Sequence, residues 1–279
     1  MTLQILLAPA ASGKTAYVLG FAREAARGLR SMPRVVVPTH LQVRSWRRRL
    51  AGAGGVIGVR VLTFDRLYAD CLNAAGEVYT ELSEPVQYRL LRAVVDDLGL
   101  VHYAPLTGRP GFIQVLRGLI GELKAARIFP DAFADAVADL GDEPRLRELA
   151  QVYTAYQARL QAQGWADRAG LGWLAVEALE ERALDAPQEW PLLVADGFDN
   201  LTPVQLALLK VLAGRVGEVI VTLTGVADGG SRPLAHGRFD RTRRALEEAL
   251  GVLARPLPER TWHQVPALAH LEDSLFSSD

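Results

Sequence analysis

"LQILLAPAASGKTAYVLGFA", residues 3–22, decides the fold of this chain. The uninterrupted apolar run at 3–7 is typical of a strand that is covered on both faces of a sheet. A turn of small residues follows, and apolar residues then recur at helical spacing at Val18, Ala22 and Ala26. The stretch therefore predicts a strand, a turn and a helix, with Gly13 and Lys14 at the junction.

The turn is a relaxed match to the phosphate-binding loop, which has a glycine, four residues and then Gly-Lys-Ser/Thr. Ala8 stands where the first glycine is expected. Backbone N–H groups at a helix start bind phosphate oxygens, Lys14 would reach the β- and γ-phosphates, and the Thr15 hydroxyl would sit on magnesium. The alternative is a strand-to-helix turn with a solvated lysine. The predicted nucleotide-binding residues are Ala8, Ala10, Ala11, Ser12, Gly13, Lys14 and Thr15.

A second apolar run, "LLVADGF", ends in an aspartate and supplies the other half of such a site. An aspartate at the end of a buried strand can hold magnesium, so Thr15 and Asp196 are the predicted metal residues. The alternative is that Asp196 caps the following turn. The next residue is Gly197, which has no side chain to orient a water molecule. No catalytic residue is assigned.

Strand and helix patterns alternate at both ends of the chain, which predicts an α/β fold with a parallel sheet flanked by helices. Its buried strands are expected at 3–7, 35–37, 192–195 and 220–223. Between the two ends the patterns are helical only. We therefore predict a discontinuous phosphate-loop domain at 1–80 and 186–250, an inserted all-helical subdomain at 81–185, and a tail at 251–279 that leads to a further region.

The helix pattern "HLQVRSWRRRL" is rich in arginine, and Arg44, Arg47 and Arg48 share one face of it. Such a face can contact DNA phosphates, although a solvated basic face is the simpler alternative. Other DNA candidates are the polar or aromatic residues where two strands end. The full predicted set is Thr39, His40, Arg44, Arg47, Arg48, Thr63 and Phe64.

Composition limits the other functions. The net charge is −1, so contact with nucleic acid needs a local basic patch. Cys71 is the single cysteine, which excludes an internal disulfide or an iron–sulfur cluster held by this segment alone and fits a reducing, cytoplasmic location. No apolar run reaches membrane-spanning length, and we expect no membrane partner.

Together these motifs resemble superfamily 1 helicases of the UvrD type. "APAASGKT", "VVVPTHLQVRSWRRRL", "VLTFDRLYADCL" and "LLVADGFDNLTPVQLALLKVLAG" follow the order of motifs I, Ia, Ib and II, and the helical block falls where those enzymes insert a helical subdomain. Asp-Gly-Phe in place of Asp-Glu-Phe resembles, more narrowly, the N-terminal helicase-like region of the B subunit of AddAB-type helicase–nucleases.

The resemblance implies a RecA-like fold and a module that contacts DNA and binds ATP with magnesium, weakly or conditionally, without hydrolysing it. It also implies an A-type helicase–nuclease partner subunit, a role in double-strand break repair, and a downstream nuclease region with an iron–sulfur cluster that this chain lacks. Gly197, the missing adenine-reading motif and the missing second motor domain depart from active helicases. A phosphate-loop kinase-like phosphotransferase and a scaffold with a relic loop remain alternatives.

Overall fold

The computed structural model describes residues 2–28, 31–52, 54–141, 143–181, 190–225 and 233–258, with Ala267 and His270; the side chains of 233–236 and 238 are not included. The described residues form two compact units. The first draws on Met1–Asp70, Arg182–Leu201 and Gln205–Asp279, and the second on Cys71–Glu181 and Thr202–Val204.

The elements alternate as the sequence patterns indicate. The strands are β1 (Thr2–Ala8), β2 (Arg34–Val36), β3 (Arg60–Leu62), β4 (Thr80–Glu81), β5 (Trp165–Ala166), β6 (Leu192–Ala195), β7 (Glu218–Thr224) and β8 (Arg255–Pro256). The helices are α1 (Lys14–Ala26), α2 (His40–Gly52), α3 (Phe64–Ala74), α4 (Glu84–Leu98), α5 (Ala104–Thr107), α6 (Pro110–Ala125), α7 (Pro130–Asp139), α8 (Pro144–Gln163), α9 (Leu171–Glu181), α10 (Pro203–Ala213) and α11 (Pro233–Leu250).

The first unit contains a six-stranded sheet in the order β3-β2-β6-β7-β1-β8, and every pair in it is parallel. The predicted α/β fold with a parallel sheet flanked by helices is confirmed. All four predicted buried strands lie in this one sheet. β6 is separated from β1 by β7, which pairs with β1 over its whole length.

The sheet is covered by helices through hydrophobic contacts. Val18 and Ala22 of α1 and Val43 and Leu50 of α2 belong to one buried cluster together with residues of β1, β2, β6 and β7. Full burial of one such aliphatic side chain contributes about 1.5–3 kcal/mol. The helical period of these apolar positions therefore fixes which face of each helix meets the sheet.

The second unit is built from helices, with α7 and α4 both packed on the long helix α8. It also contains a two-stranded parallel pair, β4 with β5. The helical patterns of this block did not predict β5, because two residues are too few to show the alternation of a strand. No pattern indicated β8 either, which pairs with Leu6 and Leu7 of β1. Most of the predicted tail lies outside the described residues.

A buried ion pair ties the helices of the second unit together. Lys124 Nζ donates to Asp167 Oδ2 at 2.8 Å, and both side chains are 1% exposed. The Tyr156 hydroxyl donates to the same oxygen at 2.8 Å, and the Gly170 N–H donates to Asp167 Oδ1 at 2.6 Å. A buried charge is tolerated when it is paired and its remaining lone pairs are satisfied, and this arrangement meets both conditions.

Glu148 of α8 fixes the connection between α4 and α5. Its Oε1 accepts the N–H groups of Val101 at 2.8 Å and His102 at 2.6 Å, and its Oε2 accepts that of Tyr103 at 3.0 Å. Burial alone would raise the pKa of the Glu148 carboxyl, but the three N–H donors outweigh it and lower the pKa below its ordinary value. The ionised carboxylate therefore stabilises the folded chain.

We expect Glu148→Gln to lower the free energy of unfolding by about 1–3 kcal/mol at pH 7, because a neutral amide accepts these bonds less strongly. A group with a lowered pKa in the folded state stabilises above its unfolded pKa, which is about 4.3 for Glu, and this contribution is lost as the pH falls through the folded value. The difference between variant and wild type, measured by urea unfolding, should therefore shrink from pH 7 to pH 3. Exposed Glu122, changed to Gln, is the control; an equal effect there would contradict the assignment.

Candidate functional site

The predicted nucleotide residues lie at one edge of the sheet of the first unit. The loop at 9–13 follows β1, and Asp196 follows β6. Because all six strands are parallel, their carboxyl ends meet at the same edge, which is where open α/β sheets bind ligands. The structure thus brings the loop and Asp196 together across 181 residues of sequence.

The backbone of the loop is left-handed at two positions. Ala11 and Gly13 have φ of 56° and 88°, both in the left-handed region, and Gly13 occupies the N-cap position of α1. Successive residues of alternating hand point their N–H groups into one concavity, and the start of α1 adds the positive end of its dipole. The Ser12 hydroxyl donates to the Pro9 carbonyl, which fixes the turn from inside.

Lys14 and Thr15 occupy the first turn of α1. Lys14 Nζ donates to the carbonyl oxygens of Ala8 at 2.9 Å and Pro9 at 2.6 Å, so the ammonium group lies over the loop. Thr15 Oγ1 donates to Asp196 Oδ2 at 2.9 Å. These are the residue types that hold a nucleotide phosphate and its magnesium ion, and Thr15 and Asp196 are already adjacent.

Two residues that the sequence analysis missed complete the environment of Asp196. Trp46 Nε1, on α2, donates to Asp196 Oδ2 at 2.9 Å, and Thr222 Oγ1, on β7, donates to Asp196 Oδ1 at 2.6 Å. Trp46 is on the buried face of a helix whose other face carries arginine. A buried indole at helical spacing signals only packing, and a threonine in a strand is common, so neither residue offered a usable signal.

Gly197 has a φ of +81° and is exposed. A β-carbon added at this position would lie 3.3 Å from Gln42 Nε2. A glutamate here would therefore need both an unfavourable left-handed backbone and a shift of the Gln42 side chain. Position 197 has no side chain that can orient water. Its left-handed backbone is a conformation that favours glycine.

The predicted DNA residues divide into two groups. Thr39, His40, Arg44, Arg47 and Arg48 are exposed at the start of α2 and along it, and Arg47 Nη2 also donates to the Val61 carbonyl at 3.3 Å. Arg44 and Arg48 lie on the side of α2 away from the buried residues Val43, Trp46 and Leu50, and Arg47 lies at the border of the buried face.

The second group, Thr63 and Phe64, is buried, with 9% and 4% of each residue exposed. The Phe64 ring packs edge-on against Phe198, with ring centroids 5.2 Å apart. Neither side chain offers a surface for stacking on a base in this arrangement. The pattern at a strand end carried no information on burial, and DNA contact through these two residues stays a prediction.

Within the part of the chain that the structure describes, no three His, Cys, Asp or Glu side chains are grouped to hold a metal ion. Cys71 is buried. None of the described helices is both long enough and apolar enough to cross a membrane.

The sequence is similar to those of several known proteins. The chain is similar to the B subunit of the ATP-dependent helicase/deoxyribonuclease of Moorella thermoacetica, with 32% identity over 98% of the chain and 26% of the relative. It is 27% identical to the protein of that name from Symbiobacterium thermophilum over 98% of the chain, and 28% identical to that from Desulforudis audaxviator over 99%. The chain spans about a quarter of the length of these relatives.

The family model described as "ADDB, N-terminal" matches residues 5–272, which is nearly all of the sequence. The chain therefore belongs to the ADDB N-terminal family.

Proposed function

We propose that this chain is the helicase-like, nucleotide-binding and DNA-contacting region of the B subunit of a helicase–nuclease, and that it binds ATP with magnesium without hydrolysing it. The observation that carries the proposal is the pairing of Thr15 with Asp196 beside the Gly13-Lys14 turn, next to a glycine at position 197. The groups that would bind phosphate and magnesium are present, and the side chain that would orient the attacking water is absent at position 197.

Each half of the proposal has its own support. Lys14, Thr15 and the N–H groups at the start of α1 would hold the phosphates, and Asp196 would hold magnesium through its hydration shell. Bound magnesium would neutralise phosphate charge. Hydrolysis needs in addition an oriented water and stabilisation of developing charge, and Gly197 contributes to neither.

The proposed DNA surface is the exposed face of α2. Arg44 and Arg48 present two exposed guanidinium groups there, and Arg47 and the helix start extend the positive surface. Phosphate contacts of this kind give affinity without sequence reading. Trp46 of this helix donates to Asp196, so a buried hydrogen bond links the proposed DNA surface to the proposed nucleotide site.

The names of the relatives support the remaining parts of the proposal. A protein named as the B subunit of a helicase/deoxyribonuclease has a partner subunit, and we propose an A-type helicase–nuclease subunit as the partner of the protein to which this region belongs. In a complex that resects DNA breaks, the partner would be the motor and this region a structural or regulatory DNA guide. An iron–sulfur nuclease region would lie outside the residues of this chain.

We expect Lys14→Ala to abolish nucleotide binding, because the fixed charge at the phosphates is lost. Calorimetric titration of the purified chain with ATP and Mg²⁺ should give a weak binding isotherm that is absent in the variant. Lys210→Ala removes an exposed lysine at the end of α10 and should bind as wild type. Equal ATP binding by the wild type and Lys14→Ala would place the nucleotide elsewhere.

We expect no ATP turnover above background, with or without single-stranded DNA. An arginine finger alone contributes roughly 10³–10⁵ in rate in nucleotide hydrolases, and a missing water-orienting residue adds to the deficit. Gly197→Glu should also remain inactive, because the left-handed backbone at this position misplaces the new carboxylate. The measurement is a phosphate-release assay. DNA-stimulated turnover that disappears in Asp196→Ala would refute the claim. The exposed Asp199, the next acidic residue after Asp196 in the sequence, would then be the first residue to test as a base.

We expect the double variant Arg44→Gln/Arg48→Gln to weaken binding of single-stranded DNA and to flatten its salt dependence. Each phosphate contact on a single strand contributes about 0.7 to the slope of log K against log salt, so the slope should fall by about 1.4. Fluorescence anisotropy with a labelled oligothymidine measures both. Arg89→Gln/Arg241→Gln removes the same charge from exposed positions on α4 and α11 and is the matched control. Equal losses in the two variants would mean that only net charge matters.

A further inference from the structure

The second unit contains a groove that the nucleotide and DNA sites do not use. Helices α7, α8 and α9 and the segment before β4 enclose a cavity of about 900 Å³. Ligand clefts range from about 300 to 1,000 Å³, so this one is large. Its wall includes four aromatic residues, Tyr79, Phe129, Trp165 and Trp173.

The charge of the groove is strongly negative. Among the lining residues that the structure describes, Lys124 is the only basic one, and its charge is neutralised by Asp167 at 2.8 Å. Four further carboxylates of the lining carry negative charge toward the groove: Asp131, Asp135, Glu177 and Glu181.

Glu177 and Glu181 of the groove repel each other. Burial and then the charge of Glu181 raise the pKa of Glu177 above its ordinary value, and Arg127 offsets this only in part. A cationic occupant would relieve both the repulsion and the cost of burying negative charge. The same field repels nucleic acid, so this face is unsuited to DNA.

A hydrogen-bond acceptor in the groove also lacks a donor. Gln157 Oε1 is buried and accepts no hydrogen bond from the described residues. Buried amide oxygens are nearly always paired, and the missing donor is an N–H group of the kind that guanidinium, ammonium or a peptide backbone supplies.

The spacing of the acidic residues decides between classes of cation. No three of them come close enough to form a metal site in the described chain. Asp131 and Asp135 lie on α7 and Glu177 and Glu181 on α9, and aromatic residues line the same groove. A long occupant with several cationic groups and with apolar groups matches this lining, and guanidinium groups also stack on aromatic faces.

We propose that the groove is a docking site for a polypeptide segment that carries several arginine or lysine side chains together with apolar ones. The aromatic wall would take the apolar side chains, Asp131, Asp135, Glu177 and Glu181 would pair with the basic ones, and Gln157 would accept an N–H. The groove contains none of the residues of the nucleotide site. The result of a peptide-binding experiment therefore does not bear on the proposed function.

The test is fluorescence anisotropy of the full chain with a fluorescein-labelled peptide of about a dozen residues that alternates arginine and leucine. Asp135→Asn/Glu181→Gln changes two exposed groove positions and should weaken binding about tenfold. Asp139→Asn/Glu122→Gln removes the same charge from exposed positions of the second unit outside the groove and should change affinity by less than about twofold. Hydrogen exchange should show that the peptide protects α7 and α9.

Several results would overturn the proposal. One is that the peptide does not bind the wild type. Another is that both double variants lose affinity equally, which would show unspecific attraction. If a peptide with serine in place of leucine bound equally well, the aromatic wall would not contribute to binding. Spermine that competes as strongly as the peptide would make the site one for a small polyamine instead.

Discussion

The buried carboxylate of Asp196 is the constraint on which the functional edge of the sheet depends. Its two oxygens accept hydrogen bonds from Thr15 on α1, Trp46 on α2 and Thr222 on β7. Removing donors from a buried carboxylate leaves an uncompensated charge, which is costly. The three elements are therefore held in one arrangement around β6. That arrangement places the phosphate-loop turn and the arginine-bearing helix next to each other, which is the geometry that the proposed function needs.

The second unit also contains a buried carboxylate whose oxygens accept several hydrogen bonds. Asp167 is buried and is satisfied by Lys124, by the Tyr156 hydroxyl and by the Gly170 N–H. Gly170 is required here, because a β-carbon would lie 2.8 Å from Asp167 Oδ1. Because Asp167 neutralises Lys124, the positive charge of Lys124 does not offset the other carboxylates of the groove. A device for stability thus also sets the electrostatic character of a surface.

Binding and hydrolysis of a nucleotide depend on different atoms, and the proposed function rests on that difference. Binding would depend on the backbone direction of the turn and on the fixed charges and hydroxyl of Lys14, Thr15 and Asp196. The chain has all of these groups. The water-orienting role depends on one side chain at position 197, where the backbone has φ of +81°. Restoring that side chain would not restore its position, because the left-handed conformation directs a β-carbon toward Gln42. Under the proposed function, the absence of hydrolysis would follow from the main-chain conformation at position 197 as well as from the residue type there.

The sequence by itself determined the elements and the loop. Apolar runs at 3–7 and 192–195 predicted buried strands, helical spacing predicted α1 and α2, and the Gly13-Lys14-Thr15 turn predicted where a phosphate would bind, because each of these signals is local. Only the tertiary structure decided that β7 lies between β6 and β1, that β8 joins the sheet, that Phe64 is buried, and that Trp46 meets Asp196. It also created the acidic groove. These features arise from hydrogen bonds and packing between residues far apart in the chain, and no local pattern of residue types encodes which distant partner a side chain will meet.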